Sequence, residues 1–308
     1  MRHDPFVGLA VAATATERIE LGTSIALAFA RNPMTTAALA DDLQALSGGR
    51  LLLGLGTQVK AHITRRFSMP WSHPAPRMRE YVGALRAIWD TWHTGAPLDF
   101  RGEFYSHTLM TPMFTPQAHG FGPPPVLLAG VGESMTEVAG EVADGFLLHG
   151  FTTERYLREV TLPALERGRA TAGRTLEGFT VKGSPMVATG RTGAELEKAT
   201  AGVRSQLAFY GSTPAYRGVL DLHGWGELGD RLHVLSREGR WAEMGPLLDD
   251  EVLHAFAVVG PPAEVGAEVV RRYGDVLDRL TLYAPYDADA RVMAEVAASV
   301  RAAAGVVA

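Results

Sequence analysis

Short apolar segments alternate with helix-length segments along the chain, and this alternation limits the possible folds more than any other feature. Segments that are apolar on both faces are typical of parallel strands covered by helices. The predicted strands are residues 18–27, 50–56, 124–130, 145–150, 178–190 and 278–285. The predicted helices are residues 6–17, 33–46, 77–92, 134–142, 153–172, 195–209, 241–248, 264–273 and 289–303. The strand count alone favours a doubly wound open sheet over a barrel, which needs about eight strands.

The composition excludes several functional classes. The chain has 308 residues, of which 46% are hydrophobic and 20% charged, and its formal net charge is −5. Its basic residues are scattered, so no nucleic-acid partner is expected. The absence of cysteine excludes disulfides and thiolate chemistry. The apolar runs are far shorter than the roughly 20 residues of a membrane span, and the first residues lack a signal-peptide core. A cytoplasmic protein without membrane association is expected.

A glycine turn joins the third predicted strand to the next helix, in the stretch LLAGVGESM. Two glycines permit tight backbone geometry, so the amides of residues 130–133 can point towards one spot. The helix that begins near Ser134 adds unpaired N–H groups and a partial positive charge, which favour an anion such as phosphate. The alternative is that the glycines only make the turn and Ser134 only caps the helix. The turn matches neither a Walker P-loop nor a dinucleotide fingerprint.

Two other strand ends carry candidate site residues. Residues 21–33 leave the first strand through Gly-Thr-Ser-Ile, which provides small residues and a bend. The loop after the second strand holds polar and aromatic residues that would lie above the carboxyl edge of the sheet, namely Lys60, His62, Arg65, Arg66, Trp71 and His73. An ordinary strand exit and a solvated loop are the alternatives.

The candidates for a catalytic role are His62, His73 and His149, against the alternative that each histidine is structural. No nucleophile triad, carboxylate pair or histidine spacing typical of a metal site stands out. No metal site is therefore predicted, and the chemistry is assigned to a bound cofactor.

Several segments occur in a recognisable order: ERIELGTSIALAFARNPMTTA, LSGGRLLLGLGTQ, RMREYVGALRAIW, FRGEFY, PPVLLAGVGESMTEVAGEVADGF and FAVVGPPAEV. Together they resemble the bacterial luciferase-like flavin and deazaflavin oxidoreductases, and most of all the branch that uses coenzyme F420. The resemblance implies a TIM-type (β/α)8 barrel, with residues 1–308 as a single domain that has insertions at about 57–125 and 192–257. Since the segment near residues 3–24 normally leads into the third barrel strand, the chain is expected to lack the first two βα units, through truncation or a misassigned start.

The resemblance also implies the cofactor-binding residues. A non-prolyl cis peptide between Ser24 and Ile25 would form a bulge that backs the cofactor ring, and Thr57 and His62 correspond to positions that face the cofactor. The phosphate-binding turn corresponds to Gly130, Val131, Gly132, Glu133, Ser134 and Met135. Sugar-phosphate oxidation is disfavoured, because Val59 stands where the sugar-phosphate dehydrogenases of the superfamily have a glutamate.

The expected function is hydride transfer between F420 and a small organic substrate, with the protein supplying orientation and exclusion of water. An FMN-dependent luciferase-like monooxygenase is the first alternative, since both cofactors would use the same bulge and turn. A non-catalytic flavin-binding remnant is the second. The resemblance further implies a homodimer, for which the apolar helices after the first strands are the natural surface.

Overall fold

The computed structural model describes residues 3–305, which form two compact units. The first unit contains the chain up to Gly130, together with Ser134–Leu147 and Ala164–Phe179. The second contains Val131–Glu133, Leu148–Pro163 and the chain from Thr180 onward. The single domain with two insertions stays a prediction, and its residues 1, 2 and 306–308 lie outside the described residues.

Strands and helices alternate in both units, and the described strand pairs are parallel except for the antiparallel pair of β4 with β5. The strands are β1 (Leu21–Gly22), β2 (Ala26–Leu27), β3 (Leu51–Gly56), β4 (Phe100–Arg101), β5 (Ser106–His107), β6 (Val126–Gly130), β7 (Gly145–Leu148), β8 (Thr180–Gly183), β9 (Met186–Thr189), β10 (Ala257–Gly260) and β11 (Arg279–Leu280). The helices are α1 (Pro5–Ala15), α2 (Pro33–Leu46), α3 (Lys60–Arg65), α4 (Pro74–Thr94), α5 (Glu133–Val142), α6 (Glu154–Tyr156), α7 (Leu162–Thr171), α8 (Gly193–Gly211), α9 (Arg217–Leu222), α10 (Gly226–Arg237), α11 (Asp250–Phe256), α12 (Pro262–Tyr273) and α13 (Ala290–Ala303). A π-helical segment, Leu157–Thr161, joins α6 to α7.

The sheet of the first unit has the strand order β1-β3-β6-β7, and β2 also pairs with β3. β3 is parallel to β1, β2 and β6, and its apolar residues are almost all buried, as a strand covered on both faces requires. Gly22 pairs with Leu52 and Ala26 with Leu55. The segment from β1 to β2 therefore advances four residues while β3 advances three. The extra residue forms a bulge at residues 23–25.

Helices α2 and α4 pack against each other beside β3. The Asn32 side chain accepts a hydrogen bond from Thr35 N at 2.9 Å, which caps α2, and Pro33 occupies its first turn. Trp89 of α4 is buried and its Nε1 donates to the Ala37 carbonyl of α2 at 3.2 Å. These contacts fix α2, and with it the end of the β2 segment, against the core.

The second unit contains two parallel strand pairs, β8 with β11 and β9 with β10. Its core surrounds α8 and includes Phe151, Tyr156, Met186, Val203, Leu207, Leu220 and Phe256. Helix α12 approaches α13 closely at Gly266, where a Cβ would lie 2.3 Å from Ser299 Oγ. Among residues 3–305, no helix is both long and apolar enough to cross a membrane.

The structure corrects several elements of the sequence prediction. The described residues contain eleven strands, so the strand count that favoured an open sheet was wrong. Residues 178–190 form two strands, because Ser184 and Pro185 interrupt the run, and β10 was missed because its four residues are too few to show a period. Residues 241–248 form two 3-10 turns instead of an α-helix. Helices α9, α10 and α11 were not predicted.

Candidate functional site

The bulge between β1 and β2 places Ile25 on the tip of the neighbouring strand. The Ser24–Ile25 peptide is cis, as the resemblance implied. A Cβ on Gly56 would lie 2.2 Å from Ile25 Cδ1 and 3.7 Å from Ala129 Cβ. The space that Gly56 leaves free is therefore occupied by the Ile25 side chain. We call Ile25, Gly56 and Ala129 the Ile25 platform, which is an apolar surface at the carboxyl ends of three strand segments.

Gly54 holds the bulge close to β3. Thr23 Oγ1 donates to the Gly54 carbonyl at 2.6 Å, and both residues are buried. A Cβ on Gly54 would lie 1.9 Å from the Thr23 carbonyl oxygen and 2.7 Å from Leu147 Cδ1. Only a glycine fits here without displacing the bulge that carries Ile25.

The loop after β3 leaves most of its predicted site residues in solvent. Thr57 is half-buried and its hydroxyl donates to the Gln58 carbonyl at 2.9 Å. His62 lies on α3 and is exposed, and His73 is exposed where α4 begins, with its ring centroid 5.9 Å from that of Phe104. Lys60, Arg65 and Arg66 are exposed too, whereas Trp71 is half-buried and its ring contacts that of Phe29 at 5.7 Å.

The predicted anion-binding turn joins β6 to α5, and its two glycines have different roles. A Cβ on Gly130 would lie 2.9 Å from Met135 Cγ, so Gly130 permits close packing. A Cβ on Gly132 would meet nothing within 4 Å, and both Gly132 and Ser134 are exposed. Tyr156 OH donates to the Val131 carbonyl at 3.2 Å, which fixes the middle of the turn. The N-terminus of α5 is exposed and carries the positive end of the helix dipole.

His149 follows β7 directly and lies among tyrosines of the second unit. Its ring centroid lies 4.8 Å from each of the Tyr210 and Tyr216 rings, and the hydroxyls of Tyr210 and Tyr283 are 3.4 Å apart. We call these four residues the His149 cluster. Burial lowers the pKa of His149 to about 4, and it raises the pKa of Tyr210 and of Tyr216. His149, Tyr210 and Tyr216 are therefore uncharged at neutral pH.

The tautomer of His149 follows from its backbone contact. The Phe151 amide donates to His149 Nδ1 at 3.0 Å, so Nδ1 is the acceptor. The ring proton of the neutral form is then on Nε2, which can donate a hydrogen bond.

A cleft of about 470 Å³ in the second unit was not predicted from the sequence. Its lining residues are Thr153, Glu154, Arg155, Arg158, Glu159, His223, His254, Ala255, Arg271 and Arg272. The arginines are paired with acidic groups: Arg155 with Glu159, Arg158 with Asp275 and Arg272 with Glu268. The cleft thus presents ion pairs rather than a surplus of positive charge. In the sequence, the only indication of this cleft was that Arg155 and Arg158 lie three residues apart, as side chains on one face of a helix do.

Comparison with known proteins defines the class of this chain. The coenzyme F420 dependent tetrahydromethanopterin reductase of Methanopyrus kandleri superposes with a TM-score of 0.78 at 21% identity, over 97% of this chain and 87% of that structure. An F420-dependent secondary alcohol dehydrogenase, in complex with an F420-acetone adduct, superposes with a TM-score of 0.70 at 16% identity, over 99% and 83%. These similarities show the α/β fold of the TIM-type luciferase-like proteins, which confirms the predicted fold class.

The family follows from the sequence comparison. The model of the luciferase-like monooxygenase family matches residues 1–279, and the chain belongs to this family. An uncharacterized protein of Mycobacterium tuberculosis is 57% identical over 278 residues, 90% of this chain and 82% of the relative. The 5,10-methylenetetrahydromethanopterin reductase of Archaeoglobus fulgidus is 26% identical over 264 residues, 83% of this chain and 74% of the relative. The chain is accordingly an oxidoreductase of the luciferase-like class.

Proposed function

We propose that this oxidoreductase is F420-dependent and transfers a hydride between the deazaflavin and a small organic substrate. The observation that carries the proposal is the turn at residues 130–135, where a buried parallel strand leads directly to an exposed helix N-terminus. Such a terminus suits the phosphodiester of a flavin-like cofactor. The F420-dependent reductase and dehydrogenase that share the fold support F420 as that cofactor.

The residues present suit both parts of such a cofactor. The Ile25 platform offers an apolar surface for the face of a ring, with Ser24 and Thr57 next to it in the chain. Gly132 and Ser134 leave the start of α5 open to an anionic group, and Val131, Glu133 and Met135 complete the turn. When bound, the deazaflavin supplies the two-electron chemistry, and the protein supplies binding and orientation.

For substrate contact we propose His149, because it lies at the carboxyl end of a parallel strand, where TIM-type enzymes carry their active sites. Its neutral Nε2–H would donate to an uncharged polar atom of the substrate. The neighbouring tyrosine rings favour a small, uncharged organic molecule over an anion. His62 and His73, which are exposed, stay candidates for the catalytic role.

Titration of the purified chain with F420 and with FMN, followed by fluorescence and absorbance, tests the cofactor. We expect saturable binding of F420. Tight binding of FMN without binding of F420 would overturn the proposal and favour the FMN-dependent monooxygenase.

Replacing Gly132 by valine should weaken F420 binding at least about tenfold, which corresponds to about 1.4 kcal/mol. The added side chain has room in the folded protein, since a Cβ there meets nothing within 4 Å, but it would lie where the anion approaches α5. The dissociation constant is measured by fluorescence titration, and unfolding by circular dichroism.

Gly193→Val is the matched control for this change, because Gly193 likewise lies at the N-terminal end of a helix and its Cβ would also meet nothing within 4 Å. We expect this control to bind F420 as the unchanged protein does. Equal affinities for both variants would show that the turn does not bind the cofactor.

A homodimer is also proposed, formed through the exposed apolar side chains of α1, the helix before β1, rather than through the helices after the first strands. Val7 and Val11 lie one helical turn apart and are 69% and 66% exposed. Val11→Glu should shift the chain from dimer to monomer in size-exclusion chromatography with light scattering. Val234→Glu, at a 53% exposed site on α10, is the control and should leave the mass unchanged. A monomeric unchanged protein, or a dimer that tolerates Val11→Glu, would contradict this surface.

A further inference from the structure

Three side chains that are far apart in the sequence converge in the first unit: Asp41 of α2, His93 at the end of α4, and His119. One potential ligand atom from each lies within 4.8 Å of the other two. His119 Nε2 is 3.2 Å from Asp41 Oδ1, and His93 Nε2 is 3.9 Å from the same oxygen. Two imidazoles therefore approach one carboxylate oxygen.

The loop that carries His119 is held in place by its own packing. The Phe121 ring stacks on the His119 ring with centroids 5.6 Å apart, and a Cβ on Gly49 would lie 3.3 Å from Phe121 Cδ1. Gly120 and Gly122 have φ of +78° and +70°, which makes the turn around Phe121 possible. Phe121 thus packs between His119 and Gly49, just after α2, and holds the His119 ring in position.

The carboxylate at the centre is removed from water. The Asp41 side chain is 6% exposed, the His119 side chain 10% and the His93 side chain 25%. A buried carboxylate requires compensation by a hydrogen-bonded partner or a cation. A divalent ion between the three groups would meet that requirement, and His93 is the most exposed of the three side chains.

We propose that Asp41, His93 and His119 form a Zn²⁺ site, which is independent of the proposed cofactor site. Imidazole nitrogen and carboxylate oxygen are common zinc ligands, and water would take the fourth position. Zinc–ligand bonds of about 2.0–2.1 Å in a tetrahedron place ligand atoms roughly 3.3 Å apart. The 3.2 Å separation of His119 from Asp41 already suits this geometry, whereas His93, at 3.9 Å from Asp41, must move towards the other two ligands.

Zinc would change the protonation of His119. The Phe121 amide donates to His119 Nδ1 at 3.2 Å, so without metal the ring proton lies on Nε2 and points at Asp41. When Nε2 binds zinc, that proton is replaced by the metal and the neutral ring carries its proton on Nδ1 instead. The Phe121 amide then loses its acceptor, so metal binding should speed amide hydrogen exchange at Phe121.

Competition against a chromophoric chelator tests the site, with untagged, metal-stripped protein and Zn²⁺ as the probe. We expect one zinc ion per chain, and a loss of affinity of more than about 100-fold in His93→Gln and in His119→Gln, since even residues around a ligand contribute 10–100-fold. His254→Gln, which alters an exposed histidine outside the cluster, is the control and should bind as the unchanged protein does.

Circular dichroism checks that the variants fold, and His93→Gln is the safer one because His93 ends a helix and is partly exposed. Faster amide exchange at Phe121 on addition of zinc, absent in His93→Gln, would support the site independently. The proposal is overturned if the unchanged protein takes up no stoichiometric zinc, or if folded His93→Gln binds it equally well.

Discussion

Replacing Gly54 by alanine is expected to lower the free energy of unfolding by about 3 kcal/mol or more. The new Cβ would lie 1.9 Å from the Thr23 carbonyl oxygen and 2.7 Å from Leu147 Cδ1. Leu147 can rotate, but the Thr23 oxygen belongs to the backbone of the bulge, so the bulge itself must move. Urea unfolding followed by circular dichroism measures the loss. Because the same bulge carries Ile25, the surviving folded protein should also bind F420 more weakly.

Gly260→Ala is the matched control for a glycine in a strand, because a Cβ on Gly260 at the end of β10 would meet nothing within 4 Å. We expect a change within about 0.5 kcal/mol. If Gly54→Ala and Gly260→Ala unfold at the same urea concentration, the close approach of the bulge to β3 does not contribute to stability.

The elements nearest the proposed cofactor site could be predicted because their signals are local. The run Leu51–Gly56 is apolar throughout, and α2 is bounded by an Asn-Pro start and a Ser-Gly-Gly end. The signal weakens where an element is short or interrupted. β10 has only four residues, which are too few to show a periodicity. Pro185 separates β8 from β9 within a run that resembles one strand, and a window of ordinary length covers both strands.

The candidate sites were harder to predict because they depend on contacts between distant residues. The sequence shows a glycine at position 56, but not that the Ile25 side chain fills the space beside it. His149 was a candidate from its place after a strand, whereas its tyrosine neighbours come from segments more than 60 residues further along the chain. The convergence of His93 and His119 on Asp41 shows no short-range spacing, and no metal site was predicted for that reason.

Acid should destabilise the protein between about pH 6.5 and pH 4, and His149 should account for a large share of this effect. Its pKa is about 4 in the folded protein, against 6.5 for an exposed histidine. In that window the unfolded chain binds a proton and the folded chain does not, so stability falls as the pH falls. The difference in pKa corresponds to at most about 3 kcal/mol, reached once the pH is below 4.

His149→Gln removes the titrating group, so its unfolding free energy should depend less steeply on pH, even though the lost ring contacts lower its stability at pH 7.5. Urea unfolding at pH 7.5, 6.5, 5.5 and 5.0 measures the slope above the range where carboxylates dominate. His107 and His223 also have pKa values lowered by burial, so some slope should remain. Val234→Gln, which changes an exposed apolar residue and removes no titrating group, should keep the full slope. If His149→Gln also keeps the full slope, His149 is not a neutral, desolvated histidine. The proposed hydrogen bond from His149 to an uncharged substrate would then lose its basis.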